Sequence, residues 1–179
     1  FLGYRRDSGL VGIRNELWIV NSVGCVNHTA KALVAKCKAL YADKADDFLA
    51  VTHPFGCSQL GDDLSQTKRL LANLAANPNA GSVLLLGLGC ENNQVAAFRE
   101  GLGDYDERRV QFLISQSVEN EVETGYGLLK EIYEVMRNDE RVPGRLSEVN
   151  FGLECGGSDG LSGITANPLL GQLSDYLTM

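Results

Sequence analysis

Apolar residues along this chain gather in short β-branched runs, separated by stretches in which they recur every three or four positions. That is the alternation of strand and helix. Residues 16–22 (Glu-Leu-Trp-Ile-Val-Asn-Ser) form one such run and reach Gly24 and Cys25 before the chain turns polar, which predicts a strand and then a turn. From Asn27, an N-cap residue type, Ala30, Leu33, Val34, Cys37, Leu40 and Tyr41 share one helical face, with Cys37 on its buried side. The unit repeats. Residues 48–52 predict a second strand, residues 53–57 (His-Pro-Phe-Gly-Cys) a turn, and Leu60, Leu64, Thr67, Leu71 and Leu74 a helix stopped before Pro78. Residues 82–86 are almost wholly apolar, as a strand covered on both faces should be, and run into Gly87-Leu88-Gly89-Cys90. A short helix over 93–101, a strand over 110–115 and a long helix from Val118 to Met136 follow. Residues 138–147 read as a charged surface loop, residues 149–153 as a fifth strand, and the remainder as a helical segment interrupted near Pro168.

Strands that alternate with helices imply parallel pairing, because parallel neighbours need long crossovers. The expected fold is therefore α/β: a three-layer, Rossmann-like, doubly wound sheet of about five mainly parallel strands. At 179 residues the chain is expected to form one domain, 1–179, large enough to bury about 70% of its unfolded surface. It begins without an initiating methionine, and a helical pattern runs up to Met179, so a piece of a longer polypeptide with neighbouring domains is expected.

In such a sheet every strand ends on one edge, where ligands gather at the point of strand-order reversal. Cys25, Cys57, Cys90 and Cys155 all fall at predicted strand ends, spaced 32, 33 and 65 residues apart, one or two strand-helix units each. A small, often buried cysteine also suits a crowded turn, so packing is the alternative for any single one. Together, four thiols on one edge point to a soft or borderline metal, although no Cys-x-x-Cys pair is present for an ordinary structural zinc site. His28 and His53, the two histidines of the chain, flank the same edge. Gly156, Gly157, Ser158 and Asp159 lead from a predicted strand toward a helix and form a candidate anion nest. The same residues match Gly-x-Ser-x-Gly formally, but no acid-then-histidine pair follows Ser158, which argues against a hydrolase. Gly87-Leu88-Gly89 lacks the third glycine of the dinucleotide fingerprint. Arg14 and Asn15, just before the first strand, are either a solvated lead-in or a substrate clamp.

Charge and cysteine count narrow the partners. Sixteen basic against 23 acidic residues, a net charge of −7, argue against nucleic acid or an anionic membrane surface, and no apolar run approaches the roughly 18 residues of a membrane span. Five cysteines and no secretory pattern favour reduced thiols and a cytoplasmic location.

Gly12-Ile13-Arg14-Asn15, Val23-Gly24-Cys25-Val26-Asn27, residues 53–61 from His53 through Cys57, residues 87–94 around Cys90, and residues 153–168 around Cys155 together resemble the altronate/galactarate sugar-acid dehydratase family, in matching order over essentially the whole chain. The resemblance implies dehydration of D-altronate to 2-keto-3-deoxy-D-gluconate, with galactarate or a related sugar acid, or a purely structural domain, as alternatives. It implies ferrous iron or another divalent metal as cofactor, with an iron-sulfur cluster on the four thiols as the alternative. The expected partners are a small-molecule sugar acid and the missing domains of the same polypeptide, with a homo-oligomer left open. Loss of water from such an acid needs a base, an acid and a seat for the carboxylate. His53 is the candidate base and His28 the candidate acid. Gly156, Gly157 and Ser158, or Arg14, are the candidate carboxylate seat.

Overall fold

The computed structural model describes residues 1–41, 45–154, 156–157 and 159–179. The described residues form two compact units, Phe1–Val149 and Asn150–Met179. The first holds a parallel sheet of four strands, β3 (Glu16–Asn21), β4 (Asp47–Val51), β5 (Ala80–Gly87) and β6 (Val110–Ile114), in the order β4-β3-β5-β6. All three pairings are parallel. A smaller antiparallel sheet joins β1 (Leu2–Arg5) to β2 (Val11–Gly12) and to β7 (Val142–Pro143), in the order β2-β1-β7. β7 lies in the segment read as a charged surface loop, β1 and β2 precede the first strand read from the pattern, and all three, at two to four residues, are too short to show an alternation.

Helices α1 (Asn27–Leu40), α2 (Gly61–Ala75), α3 (Val95–Leu102) and α4 (Glu121–Met136) connect or flank the parallel strands. Side chains alternate along a strand, so each strand feeds two cores. Leu17, Ile19, Leu84, Leu86 and Leu113 pack with Ala30, Leu33 and Cys37 of α1 and with Leu129, Ile132, Tyr133 and Met136 of α4. Val20, Val83 and Leu85 pack on the opposite face with Leu71, Ala72 and Ala75 of α2 and Phe98 of α3. The result is the expected three-layer, doubly wound α/β arrangement, and β5 is buried throughout except at its first residue. At the start of α4, the Asn120 side chain accepts from Glu123 N at 3.1 Å, and Glu121 and Glu123 place negative charge on the positive end of the helix.

Strand order reverses between β3 and β5. The chain leaves β3 through α1 for outer strand β4, returns through α2 to β5 on the far side of β3, and continues through α3 to β6. The turns after β3 and β5 therefore depart toward opposite faces and leave a crevice between them.

The second unit differs from the expectation in two respects. Residues 149–153 form no strand, so the parallel sheet has four strands and not five. The run Val-Asn-Phe-Gly-Leu has strand-like alternation, but Gly152 weakens it, and a strand exists only once a ladder partner is found. Helix α5 (Ala166–Thr178) is continuous through Pro168, which occupies its first turn, where a missing N–H breaks no intrahelical bond. Among the described residues no helix is long and apolar enough to cross a membrane.

Candidate functional site

Three adjacent strands deliver three thiols to one edge. Cys25 follows β3 in a short 3-10 turn (Gly24–Val26), Cys57 lies in the loop between β4 and α2, and Cys90 follows β5. All three are exposed. The β4 loop crosses the β3 turn and reaches the β5 turn: Gly24 N donates to Phe55 O at 2.9 Å, Asn93 N to Gly56 O at 3.3 Å, and Ser58 N to Asn92 Oδ1 at 3.2 Å. The crevice at the strand-order reversal is thus roofed by the Cys57 loop. Ser58, next to Cys57, takes the left-handed backbone conformation with φ 60°, which non-glycine residues rarely adopt outside constrained turns.

His53 is a structural pin of this roof. Phe55 N donates to its Nδ1 at 3.1 Å, so Nδ1 is unprotonated, and Nε2 must carry the hydrogen that bonds Asn21 O at 2.8 Å. The imidazole is the neutral Nε2–H tautomer with both nitrogens in use, and it stacks on Phe55 at 6.1 Å. Asn27 reinforces it, donating to His53 O at 2.9 Å and accepting from Asn21 Nδ2 at 2.8 Å. His28, one residue further along α1, is exposed and its ring makes no hydrogen bond with the described residues, so that ring is the more available for proton transfer.

Beneath the roof lies a buried carboxylate to which the sequence reading gave no role. Glu91 is 2% exposed. Its Oε1 accepts from Ser22 Oγ at 2.5 Å and Leu88 N at 3.1 Å, and its Oε2 accepts from Gly89 N at 2.5 Å. Burial works against the charged form, but the Ser22 hydroxyl and the backbone N–H groups of Gly89, Glu91 and Leu88 outweigh it and hold the carboxyl below its ordinary value. The Gly87-Leu88-Gly89 pattern now has a reason. A Cβ on Gly87 would stand 2.7 Å from Glu91 Oε1, and Gly89 adopts φ 128° to turn its N–H inward. Donors that would face a phosphate in a nucleotide-binding turn face an internal carboxylate instead. Asn93, fully buried, completes the junction by donating from Nδ2 to Ser22 O at 2.9 Å. The signal available in the sequence was a run of polar residues, Glu91-Asn92-Asn93, directly behind an apolar central strand.

Among the described residues no group of three or more His, Cys, Asp or Glu side chains is placed to hold a metal ion. Cys25, Cys57 and Cys90 share the edge without forming a ligand set, and Cys155 lies outside the described residues. The described residues therefore do not fit an iron site or a cluster by themselves. Cys37 differs from the edge thiols in being 1% exposed, with burial pushing its thiol up to about 11. Iodoacetamide at pH 8 should label Cys25, Cys57 and Cys90 in the native chain and Cys37 only after unfolding, as read by peptide mass spectrometry.

Arg14 and Asn15 stand at the opposite end of β3, about 20 Å from the thiol edge at 3.3 Å per residue. Arg14 is paired with Glu16. Asn15 is buried, donating to Met136 O at 3.1 Å and accepting from Arg6 Nη2 at 3.0 Å. Neither joins the thiol edge as a substrate clamp; both belong to a lock at the sheet's other end. In the second unit, Gly156 and Gly157 are exposed, and Ser158 lies outside the described residues. Asp159 fills its own turn: Leu161 N at 2.8 Å and Ser162 N at 3.0 Å donate to Oδ1, and Ser162 Oγ to Oδ2 at 2.8 Å. The Ser162 hydroxyl and these N–H groups hold its carboxyl below the ordinary value. The two N–H donors thus already hold an anion from the chain itself.

Fold and edge together define a doubly wound α/β domain whose strand-end crevice is stitched by carboxamides and a buried glutamate. Comparison with known proteins narrows the class. Residues 3–137 match the family described as D-galactarate dehydratase/Altronate hydrolase, second domain, and residues 146–179 the one described as D-galactarate/Altronate dehydratase, C-terminal. The chain belongs to the D-galactarate dehydratase/altronate hydrolase family. It is 57% identical over 176 residues, 97% of its length, to altronate dehydratase of Escherichia coli (strain K12), covering 36% of that protein. The identity is 55% over 179 residues, 99% of the chain, to altronate dehydratase of Bacillus subtilis (strain 168), again covering 36%. To the (2R)-sulfolactate sulfo-lyase subunit beta of Chromohalobacter salexigens it is 32% over 178 residues, 99% of the chain and 43% of that protein. The chain spans about a third of the length of the two altronate dehydratases.

Proposed function

We propose that the whole protein carrying this chain is a hydro-lyase that converts D-altronate to 2-keto-3-deoxy-D-gluconate and water in the cytoplasm, where exposed thiols stay reduced. The observation that carries this reading is the 57% identity to altronate dehydratase across 97% of the chain. The geometry supports a contributing share of the site. Elimination removes the proton beside the carboxylate and expels the neighbouring hydroxyl as water, and the resulting enol becomes the 2-keto acid. A base, an acid and a cationic seat for the carboxylate are needed. On the edge loops, residues 21–28, 53–60 and 87–94 contain no Lys or Arg, so a cationic side chain for the carboxylate would come from outside these three loops. His28 is the imidazole free to carry a proton. His53 enters as base only by giving up its bond from Phe55 N. An iron requirement rests on ligands beyond the described residues.

Purified whole protein, assayed for 2-keto acid formation, is expected to turn over D-altronate in preference to galactarate and (2R)-sulfolactate, and His28→Gln should lower kcat by about a hundredfold. Absence of altronate turnover in folded, iron-replete protein would overturn the assignment, and unchanged kcat in the variant would remove His28 from proton transfer.

A further inference from the structure

Glu91 is an anion enclosed at the mouth of the strand-order reversal, with no ion-pair partner among the described residues. Its two oxygens gather donors from different strands: Ser22 Oγ belongs to the turn that presents Cys25, and Leu88 N and Gly89 N to the turn that presents Cys90. The residues beside it bind the third loop, since Asn92 Oδ1 accepts from Ser58 N and Asn93 N donates to Gly56 O. One short segment thus sets the spacing of all three thiol-bearing turns. A glutamine could not substitute: its amide nitrogen would meet the Gly89 N–H in one orientation and the Leu88 N–H in the other. An apolar residue would leave three donors unpaired.

We infer that Glu91 is a positioning residue of the proposed dehydratase site, fixing the Cys25 and Cys90 turns against each other across the crevice by drawing the Ser22 hydroxyl and the Leu88 and Gly89 N–H groups onto one buried carboxylate. The inference rests on the hydro-lyase reading for its effect on turnover, and on the geometry alone for its effect on the thiols. Because the seat is built for a carboxylate, its loss is repairable by a small one from solution. In Glu91→Ala the vacated space faces the same three donors, and formate carries the matching charge and acceptors.

The test uses the whole protein. In Glu91→Ala, the alkylation rate of Cys90 relative to Cys57 should change severalfold while Cys37 stays protected, and added formate should return it toward the wild-type ratio. On D-altronate, kcat should fall about tenfold or more with KM little changed, and formate should recover part of the loss. Ser22→Ala, which removes a single donor, should shift both readouts in the same direction by less. If Glu91→Ala exposes Cys37 and so has unfolded, Ser22→Ala decides. Unchanged Cys90 labelling and kcat in a variant that keeps Cys37 protected would overturn the inference, as would a loss that formate leaves untouched and Ser22→Ala does not share. Wild-type protein inactive on every sugar acid would remove the hydro-lyase reading, while the alkylation ratio and its formate response would still decide whether Glu91 sets the edge.

Discussion

Gly56→Ala is expected to destabilise the chain by about 3 kcal/mol, lowering the urea midpoint at unchanged slope. Two costs combine. Gly56 has φ 98°, a conformation that strains any side chain by roughly 1–2 kcal/mol. A Cβ there would also stand 2.2 Å from Ser22 O and 2.8 Å from Val23 Cα, contacts with backbone that no rotamer can relieve. Relief requires lifting the Cys57 loop off the β3 turn, which breaks Gly24 N to Phe55 O and Asn93 N to Gly56 O. Gly61→Ala separates the two costs: Gly61 has φ 56°, but a methyl group there would meet nothing within 4 Å, so strain of about 1 kcal/mol is all it should show. Trp18, the single tryptophan, lies in β3 beside both parallel neighbours and reports the transition by fluorescence. Equal midpoints for the two variants would mean that the β4 loop does not bear on the β3 turn.

Asp139→Ala should have a comparable effect, about 2–3 kcal/mol, at the opposite end of the sheet. Asp139 accepts from Arg6 Nη1 at 2.8 Å and from Arg109 Nη1 and Nη2 at 2.9 and 2.7 Å. The Arg6 side chain is 11% exposed, so removing the carboxylate leaves a largely desolvated guanidinium short of its counter-charge. Burial, the leading influence, already holds Arg6 below its ordinary value, against the pull of Asp139. Arg6 also donates to Pro78 O and Asn15 Oδ1, so the loss spreads to the turn before β5 and the entry to β3. Arg109 retains Asp106 at 3.7 Å and more solvent, which keeps the expected loss below the cost of breaking a fully buried pair. Arg5→Ala breaks the solvent-screened pair with Glu148 and should leave the urea midpoint nearly unchanged. A loss at Asp139 as small as that at Arg5 would show the network to be solvated.

Both residues lie where local sequence pattern says least. The turn glycines are visible as turn signals, but nothing nearby in the chain says which of them has another strand's carbonyl against its α-carbon. Arg14 and Asn15 read either as a solvated lead-in or as a clamp, because polar residues before a strand fit both. Asn15 is instead a buried spacer between Arg6 and the end of α4, a role created by residues 9 and 121 positions away. His53 is legible as a strand-end histidine. That both its nitrogens are consumed depends on Asn21 and Phe55 being folded against it.

Periodicity by itself determined the four parallel strands, the helices between them, the three-layer class and the placement of Cys25, Cys57 and Cys90 on one edge. Those features follow from local burial, where the 2.0 and 3.6 repeats record which face meets the core. The place of Cys37 in the core follows on the same ground. Tertiary structure alone decided the strand order, the absence of a fifth strand at 149–153, the internal anion at Glu91 and the place of Asn15 between Arg6 and the end of α4. Each depends on hydrogen bonds between segments distant in sequence, and a donor's partner, unlike its burial, leaves no period in the chain.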